Sequence, residues 1–204
     1  AALGVLPGGV SGAAKYYAPY PVFVERGEGG RVRDVDDNEY VDLLMGAGSV
    51  LLGHCDRRVA PAVARQLERL GTVLAPTALE REYAERLRAH MPYLARLRFT
   101  NTGSEATRSA LRAARAFTER TRYAKFEGNY HGSDDYFLFS AVSRSTFGPT
   151  QRPEPVIDSH GVPASLTRDV VILPFNDAQG AGDLIRAHGD ELAAVFMEPM
   201  AFST

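Results

Sequence analysis

Residues 99–106 read Phe-Thr-Asn-Thr-Gly-Ser-Glu-Ala. A strand-like run, Arg96 to Thr100, leads into a tight turn, and an Ala-rich helix is predicted from Gly103 to Arg120. Thr102 and Glu105 have the S/T-x-x-E spacing of a capping box. Gly103 lets another group approach the backbone closely. The first N–H groups of such a helix lack internal partners and lie at the positive end of its dipole. The corner is therefore built to hold an anion such as a phosphate, with the Ser104 hydroxyl as an added donor. A well-capped helix that binds nothing accounts for the same residues equally simply.

A second group, Lys125-Phe126-Glu127-Gly128-Asn129-Tyr130-His131-Gly132, follows a predicted strand. In open α/β sheets ligands sit beyond the carboxyl ends of strands. Tyr130 and His131, held between glycines, can form one wall of a pocket for a flat ring, the first by stacking and the second by packing or hydrogen bonding. A loop whose tyrosine caps the core is the plainer alternative. A third group, Val195-Phe196-Met197-Glu198-Pro199, puts the Glu198 carboxyl at the end of a buried strand, where it needs a partner. His131, Asp134, Asp135, His160, His54 and Asp56 are a rival set of metal ligands. They show no HExxH or comparable helical pairing, so no metal is expected. A G-x-S-x-G nucleophile elbow and a Walker A loop are both absent.

These groups need a scaffold. The stretch Leu3 to Ser11 reads as a Gly/Pro-rich arm. Short β-like runs at Val22–Glu25, Arg31–Asp34 and Tyr40–Leu44, punctuated by Gly27, Gly29, Gly30 and Asp36-Asp37-Asn38, predict a small antiparallel meander. Helical spacing follows over Arg57–Leu70 and Leu79–Met91. Beyond the helix at 103–120, short apolar strands are predicted at Tyr123–Phe126, Phe137–Phe139, Val170–Leu173 and Ala194–Met197, with a helix at Asp177–His188. Strands alternating with helices indicate an α/β layer around a largely parallel sheet. The Pro- and Ser-rich stretch from Ser140 to Thr167 is either a surface excursion or a lid over a site. The expected division is 1–53, arm and β segment, and 54–204, the first part of a larger α/β domain.

Composition narrows the function classes. The chain has 204 residues, 45% hydrophobic and 24% charged, which suffices for a packed core. A net charge of -2 gives no support to a nucleic-acid surface. No apolar run approaches the roughly 20 residues of a membrane helix, and no signal peptide is visible. The single cysteine, Cys55, excludes an internal disulfide framework and points, weakly, to a reducing cytoplasm. Only two of the 23 basic residues are lysines, Lys15 and Lys125, so amine chemistry has two candidates. The sequence starts at Ala1 and stops directly after a strand-like run, and it is expected to be a piece of a longer protein.

Read together, the motifs resemble the class III aminotransferases, pyridoxal 5'-phosphate enzymes of fold type I, in the branch holding glutamate-1-semialdehyde aminomutase. The pieces that carry the resemblance are Pro7-Gly8-Gly9-Val10, Asp34-Val35-Asp36 with Glu39-Tyr40-Val41-Asp42, Leu52-Gly53-His54, residues 101–106, residues 125–132 and Glu198-Pro199. The resemblance implies that Thr102, Gly103 and Ser104 hold the cofactor phosphate, that Tyr130 stacks on its ring beside His131, and that Glu198 is the active-site strand glutamate. It places Ser11, Lys15 and Ser49, more weakly, near the substrate. It implies a homodimer with a shared active site, acting on a small-molecule amino donor and a carbonyl acceptor. It also implies that the 140–167 stretch gates the site.

The departures matter too. The Schiff-base lysine and the ring-nitrogen aspartate of that family are expected beyond Thr204, and neither Lys15 nor Lys125 replaces the lysine by motif. These 204 residues alone are thus expected to be inactive. Gly12 stands where a Ser is usual in the aminomutase branch, Lys15 where an Arg is usual, Ser203 where an Asn is common and Ser133 where a His is frequent. Loss of a bidentate arginine is not conservative for carboxylate binding. An aminotransferase with another amino substrate is therefore favoured over a true aminomutase. A non-catalytic binding or scaffolding half-domain is the rival from another class.

Overall fold

The computed structural model describes residues 2–141 and 152–201. It gathers into two compact units, Ala1–Arg86 and Leu87–Thr204. The boundary expected after residue 53 falls inside the first of them.

In the first unit β1 (Val24–Glu28), β2 (Arg31–Asp34) and β3 (Glu39–Val41) form an antiparallel sheet in that order, the meander that the turn residues predict. β1 lies later than the apolar run at 22–25 because its ladder continues to the Gly29-Gly30 turn, where Glu28 faces Arg31. The second turn closes on Asp34. Its buried carboxyl accepts from Asp36 N at 3.0 Å, Asn38 N at 2.9 Å and Tyr40 Oη at 2.8 Å. These bonds, the Asn38 side chain foremost, hold it below the usual carboxylate range. The arm before β1 is a series of short turns at Ala2–Gly4, Pro7–Gly9 and Ala13–Lys15. Helix α1 (Val59–Arg69) starts where Asp56 Oδ1 accepts from Arg58 N at 2.8 Å. Its apolar stripe, Val59, Val63, Leu67 and Leu70, is exposed. Helix α2 (Ala78–His90) follows.

The second unit holds α3 (Gly103–Thr118), β4 (Arg122–Phe126), β5 (Val170–Leu173), α4 (Ala178–His188) and β6 (Leu192–Phe196). Its sheet is parallel, in the order β5-β4-β6, with Tyr123 opposite Val170 and Ala124 opposite Val195. Side chains alternate across it. Tyr123, Val170 and Ile172 pack with Leu111 of α3, Phe137 and Phe139 on one face. Ala124, Val171 and Leu173 pack with Ala181 of α4 and Leu192 on the other. Helix α3 ends at Glu119 in the left-handed region, φ 58°. Asp177 caps α4, its Oδ1 accepting from Gly180 N at 2.9 Å.

Two predicted strands are corrected. Residues 96–100 and 137–139 have extended-strand composition but no ladder. Among the described residues the only pairing there is an isolated bridge of Phe139 with Ile157. A strand exists only through a neighbour, and among the described residues neither segment has a laddered one. Phe137 and Phe139 are apolar because they are core residues of a loop, both at 0% exposure. Of the 140–167 stretch, the described part holds that bridge and, at its end, a 3₁₀ turn at Ala164–Arg168. Its residues 142–151, and Ser203, lie outside the described residues.

Candidate functional site

The capping box forms, with one shift of partner. Thr102 Oγ1 accepts from Glu105 N at 3.1 Å, while the Glu105 carboxyl reaches back to Asn101 N at 2.8 Å, one residue before the cap. The Thr102 carbonyl takes Ala106 N at 3.1 Å. This leaves the Gly103 and Ser104 N–H groups at the open end of α3. Outside its own turn, no described atom lies within 4 Å of the position a β-carbon on Gly103 would take, so that side of the corner is open.

The loop after β4 is clamped onto this corner. Ser133 N donates to Ser104 Oγ at 2.9 Å, and the two serine hydroxyls lie 3.4 Å apart. Thr107 Oγ1 donates to the His131 carbonyl at 2.7 Å. Gly132, at φ +99°, crosses so close that a β-carbon there would stand 2.5 Å from Ser104 Oγ. Ser104 Oγ accepts from Ser133 N, and its hydroxyl and that of Ser133 can each donate to the other or to a group bound at the corner.

Glu198 meets the same loop. Its Oε2 accepts from Tyr130 N at 2.9 Å, and its backbone N donates to Asn129 Oδ1 at 2.8 Å. The carboxyl at the end of β6 therefore finds main-chain amide as its partner, not a cation. The Tyr130 ring is half exposed and free to offer a face. His131 is buried, edge-on to Phe137 and Phe196 at 5.7 and 5.8 Å. Burial first, and the Lys125 charge second, push its pKa down to about 4, so the ring is neutral near pH 7. Its Nε2 and Asn129 Nδ2 are buried and have no partner among the described residues.

Lys125 is fully buried in β4 and donates to the Phe139 carbonyl. Burial lowers its pKa to about 8. It is therefore a structural ammonium within the core and presents no amine to the open corner.

The structure thus brings Thr102, Gly103, Ser104, Tyr130, His131 and Glu198 onto α3, the 128–134 loop and the end of β6 within one unit. Sequence reasoning missed Thr107, Asn129 as a bonding partner, and the Ser133–Ser104 contact. Ser11 and Lys15 line a common cavity of about 450 Å³ in the first unit, walled by apolar residues such as Val10, Val22 and Phe23. Ser49 does not share it. Its hydroxyl donates to the Gly46 carbonyl at 2.7 Å, and it lines another hollow with Leu51 and Cys55. The rival metal set is dispersed. His54 pairs with Asp42 at 2.8 Å, Asp56 with Arg58 at 2.9 Å, and Asp134 faces Arg108 at 3.7 Å. Among the described residues no three His, Cys, Asp or Glu side chains gather as a metal site.

A helix N-terminus opened toward an aromatic loop, at the carboxyl ends of parallel strands, has the donors and the flat face that a phosphorylated planar ligand would use. The class-III aminotransferase model matches residues 12–202, and the chain belongs to that family. It is 40% identical over 199 residues to the glutamate-1-semialdehyde 2,1-aminomutase of Archaeoglobus fulgidus, covering 98% of this chain and 46% of that protein. It superposes on an omega-transaminase from Sphaerobacter thermophilus with a TM-score of 0.94 and 41% identity, over 99% of this chain and 46% of the other. A transaminase with PLP bound matches with a TM-score of 0.91 and 36% identity, over 99% and 46%. The fold is the α/β fold of the type I pyridoxal-phosphate enzymes. The chain spans about half the length of the curated relatives it matches.

Proposed function

We propose that the protein to which this chain belongs is a pyridoxal 5'-phosphate-dependent aminotransferase, and that the corner at α3 is its cofactor site. The observation that carries this is the open end of α3 facing the Tyr130 loop, with the Gly103 and Ser104 N–H groups lacking partners within the helix and the Ser104 hydroxyl beside them. Gly103 and Ser104 hold the phosphate through their N–H groups and the serine hydroxyl, and Thr102 fixes the turn that presents them. Tyr130 covers the ring face, with neutral His131 behind it. Glu198 keeps the Tyr130 amide, and so the loop, in register. When bound, pyridoxal phosphate supplies a carbonyl carbon and an electron-withdrawing ring through which an amino group is exchanged.

Neither lysine of this chain supplies the catalytic amine in this reading. Lys125 is locked in the core, and Lys15, with Ser11 and Ser49, belongs to the arm and turns of the first unit, where we place substrate contacts. The amine and the ring-nitrogen carboxylate come from sequence beyond Thr204. Residues 1–53 are read as arm and small-domain segment, and 54–204 as the first part of the cofactor domain. The protein is read as a cytoplasmic homodimer acting on a small amino donor and a carbonyl acceptor. No helix among the described residues is long and apolar enough to cross a membrane.

The aminomutase is the second reading, favoured by the 40% identity to an enzyme of that name. The two are separated by stoichiometry, because an aminotransferase needs a keto acid to complete turnover and a mutase does not. For the site itself, Ser104→Ala in the full-length protein removes a charge-assisted hydrogen bond worth about 1.5–3 kcal/mol. The expected outcome is a ten- to hundredfold rise in the cofactor dissociation constant (about 1.4 kcal/mol per decade), with a smaller loss of apo stability, about 1 kcal/mol, from the Ser133 N–Ser104 Oγ bond. Equal cofactor affinity in variant and parent would remove Ser104 from the site.

A further inference from the structure

Two hydrogen bonds of opposite direction join residue 198 to neighbouring residues of the 128–134 loop. Glu198 N donates to Asn129 Oδ1 at 2.8 Å, and Glu198 Oε2 accepts from Tyr130 N at 2.9 Å. They bridge the ends of β4 and β6, adjacent strands separated by some seventy residues of chain. Asn129 is wholly buried, and its own N–H closes a turn on the Phe126 carbonyl at 3.2 Å. We propose that Asn129 is a positioning residue of the cofactor site: its amide oxygen anchors the backbone of Glu198, so that the Glu198 carboxyl holds the Tyr130 amide and thereby the ring-covering loop. The proposal rests on the cofactor reading above.

The chemistry of the position explains the residue type. The anchor must accept a hydrogen bond from a buried position next to a carboxyl group, and a neutral amide oxygen does so without adding a second negative charge. Leucine, with the same number of side-chain heavy atoms, would leave Glu198 N without an acceptor. Aspartate would keep the acceptor and set two carboxyl groups side by side. Asn129 also carries a buried Nδ2 donor with no partner among the described residues. Replacement by leucine removes that donor while orphaning another, so the apo fold should scarcely register the change, whereas the loop should.

The test uses the full-length protein loaded with pyridoxal phosphate. Asn129→Leu should speed cofactor release about tenfold, the loss expected for one buried hydrogen bond. It should also alter the circular dichroism of the bound-cofactor band. The melting temperature of the apo protein should stay within about 2 °C of the parent. On a Glu198→Ala background the same substitution should add less than about threefold, because residues acting through one contact are not additive. Release at the parental rate, or an undiminished tenfold effect on Glu198→Ala, would overturn the proposal. So would a fall in apo stability that tracks the loss of cofactor. Should the leucine variant not fold, Asn129→Ser, smaller and still polar, is read by the same three measures. If Ser104→Ala and Glu198→Ala also release cofactor at the parental rate, the cofactor site itself is misplaced. If they release it faster and Asn129→Leu does not, only the anchoring by Asn129 fails.

Discussion

Leu111 on α3 and Leu67 on α1 occupy the same kind of position, an apolar residue on the repeating face of a helix, yet Leu111 is 2% exposed and Leu67 is 65% exposed. The contrast extends to the units that hold them. In the second, every residue of β5 is buried and both sheet faces are covered by helices or loop. In the first, Leu43, Leu51 and Leu74 stand among the most exposed side chains, and no residue of α1 or α2 is buried. Helical periodicity therefore states that a face is meant for apolar company, but not where that company comes from. For α3 it comes from the same 118-residue unit, where the strands lie nearby in sequence. For α1 it does not come from the described residues of its own unit.

The largest predicted difference tests this directly. In the 204-residue chain, Leu111→Ala should destabilise the second unit by about 2–5 kcal/mol, the cost of a core cavity. Leu67→Ala should change stability by no more than about 0.5 kcal/mol, as for a surface site. Urea titrations followed by circular dichroism would measure both. A costly Leu67→Ala would show that the α1 stripe is covered, and the comparison would break.

A second pair of positions separates conformation from contact. Gly48 in the first unit and Gly132 in the second both have positive φ, +85° and +99°. Around Gly48 nothing lies within 4 Å of a would-be β-carbon. At Gly132 that carbon would meet Ser104 Oγ at 2.5 Å and Ser104 Cα at 2.7 Å. Gly48→Ala should therefore cost only the strain of a left-handed alanine, about 1 kcal/mol. Gly132→Ala should cost about 2–3 kcal/mol. It should also loosen cofactor binding in the intact protein, because the loop must leave Ser104. Equal costs at the two sites would mean that the loop gives way freely and is not a clamp.

The same contrast explains how much was legible in the sequence. Apolar runs such as Val170–Leu173 predict β5 residue for residue because the strand is buried on both faces. The Thr102/Glu105 spacing predicts the cap of α3 because capping is local. The site residues came together because each lies at the end of a strand or the start of a helix, positions that a motif marks. What the sequence left unread is what depends on distant pairing. Residues 96–100 and Phe137–Phe139 look like strands, but strandedness belongs to a partner. Thr107 and Ser133 act across 24 and 29 residues, and Asn129 across 69, and no periodicity encodes such contacts. Lys125 was read as part of a strand, yet the alternation that points it inward, toward Phe139, follows only from the register of β4.

The two units also treat histidine differently, and this supplies the smallest predicted effect. His54 in the first unit has Asp42 at 2.8 Å. His131 in the second has two aromatic rings and a buried Nε2 with no partner. Its pKa falls from 6.5 to about 4, so the folded form resists a proton that the unfolded chain accepts. Stability from this group is complete above about pH 6.5 and is lost progressively as pH falls toward 4. Solvent near the half-open loop screens part of the burial cost, so the loss should be about 1 kcal/mol. His131→Gln removes the titrating ring, so its urea midpoint should fall less than the parent's between pH 7 and pH 4.5. A variant with the parental slope would assign the acid sensitivity to other groups. His131 would then be no more desolvated than His54, and the distinction between a packed site and an open one would fail at the residue where burial matters most.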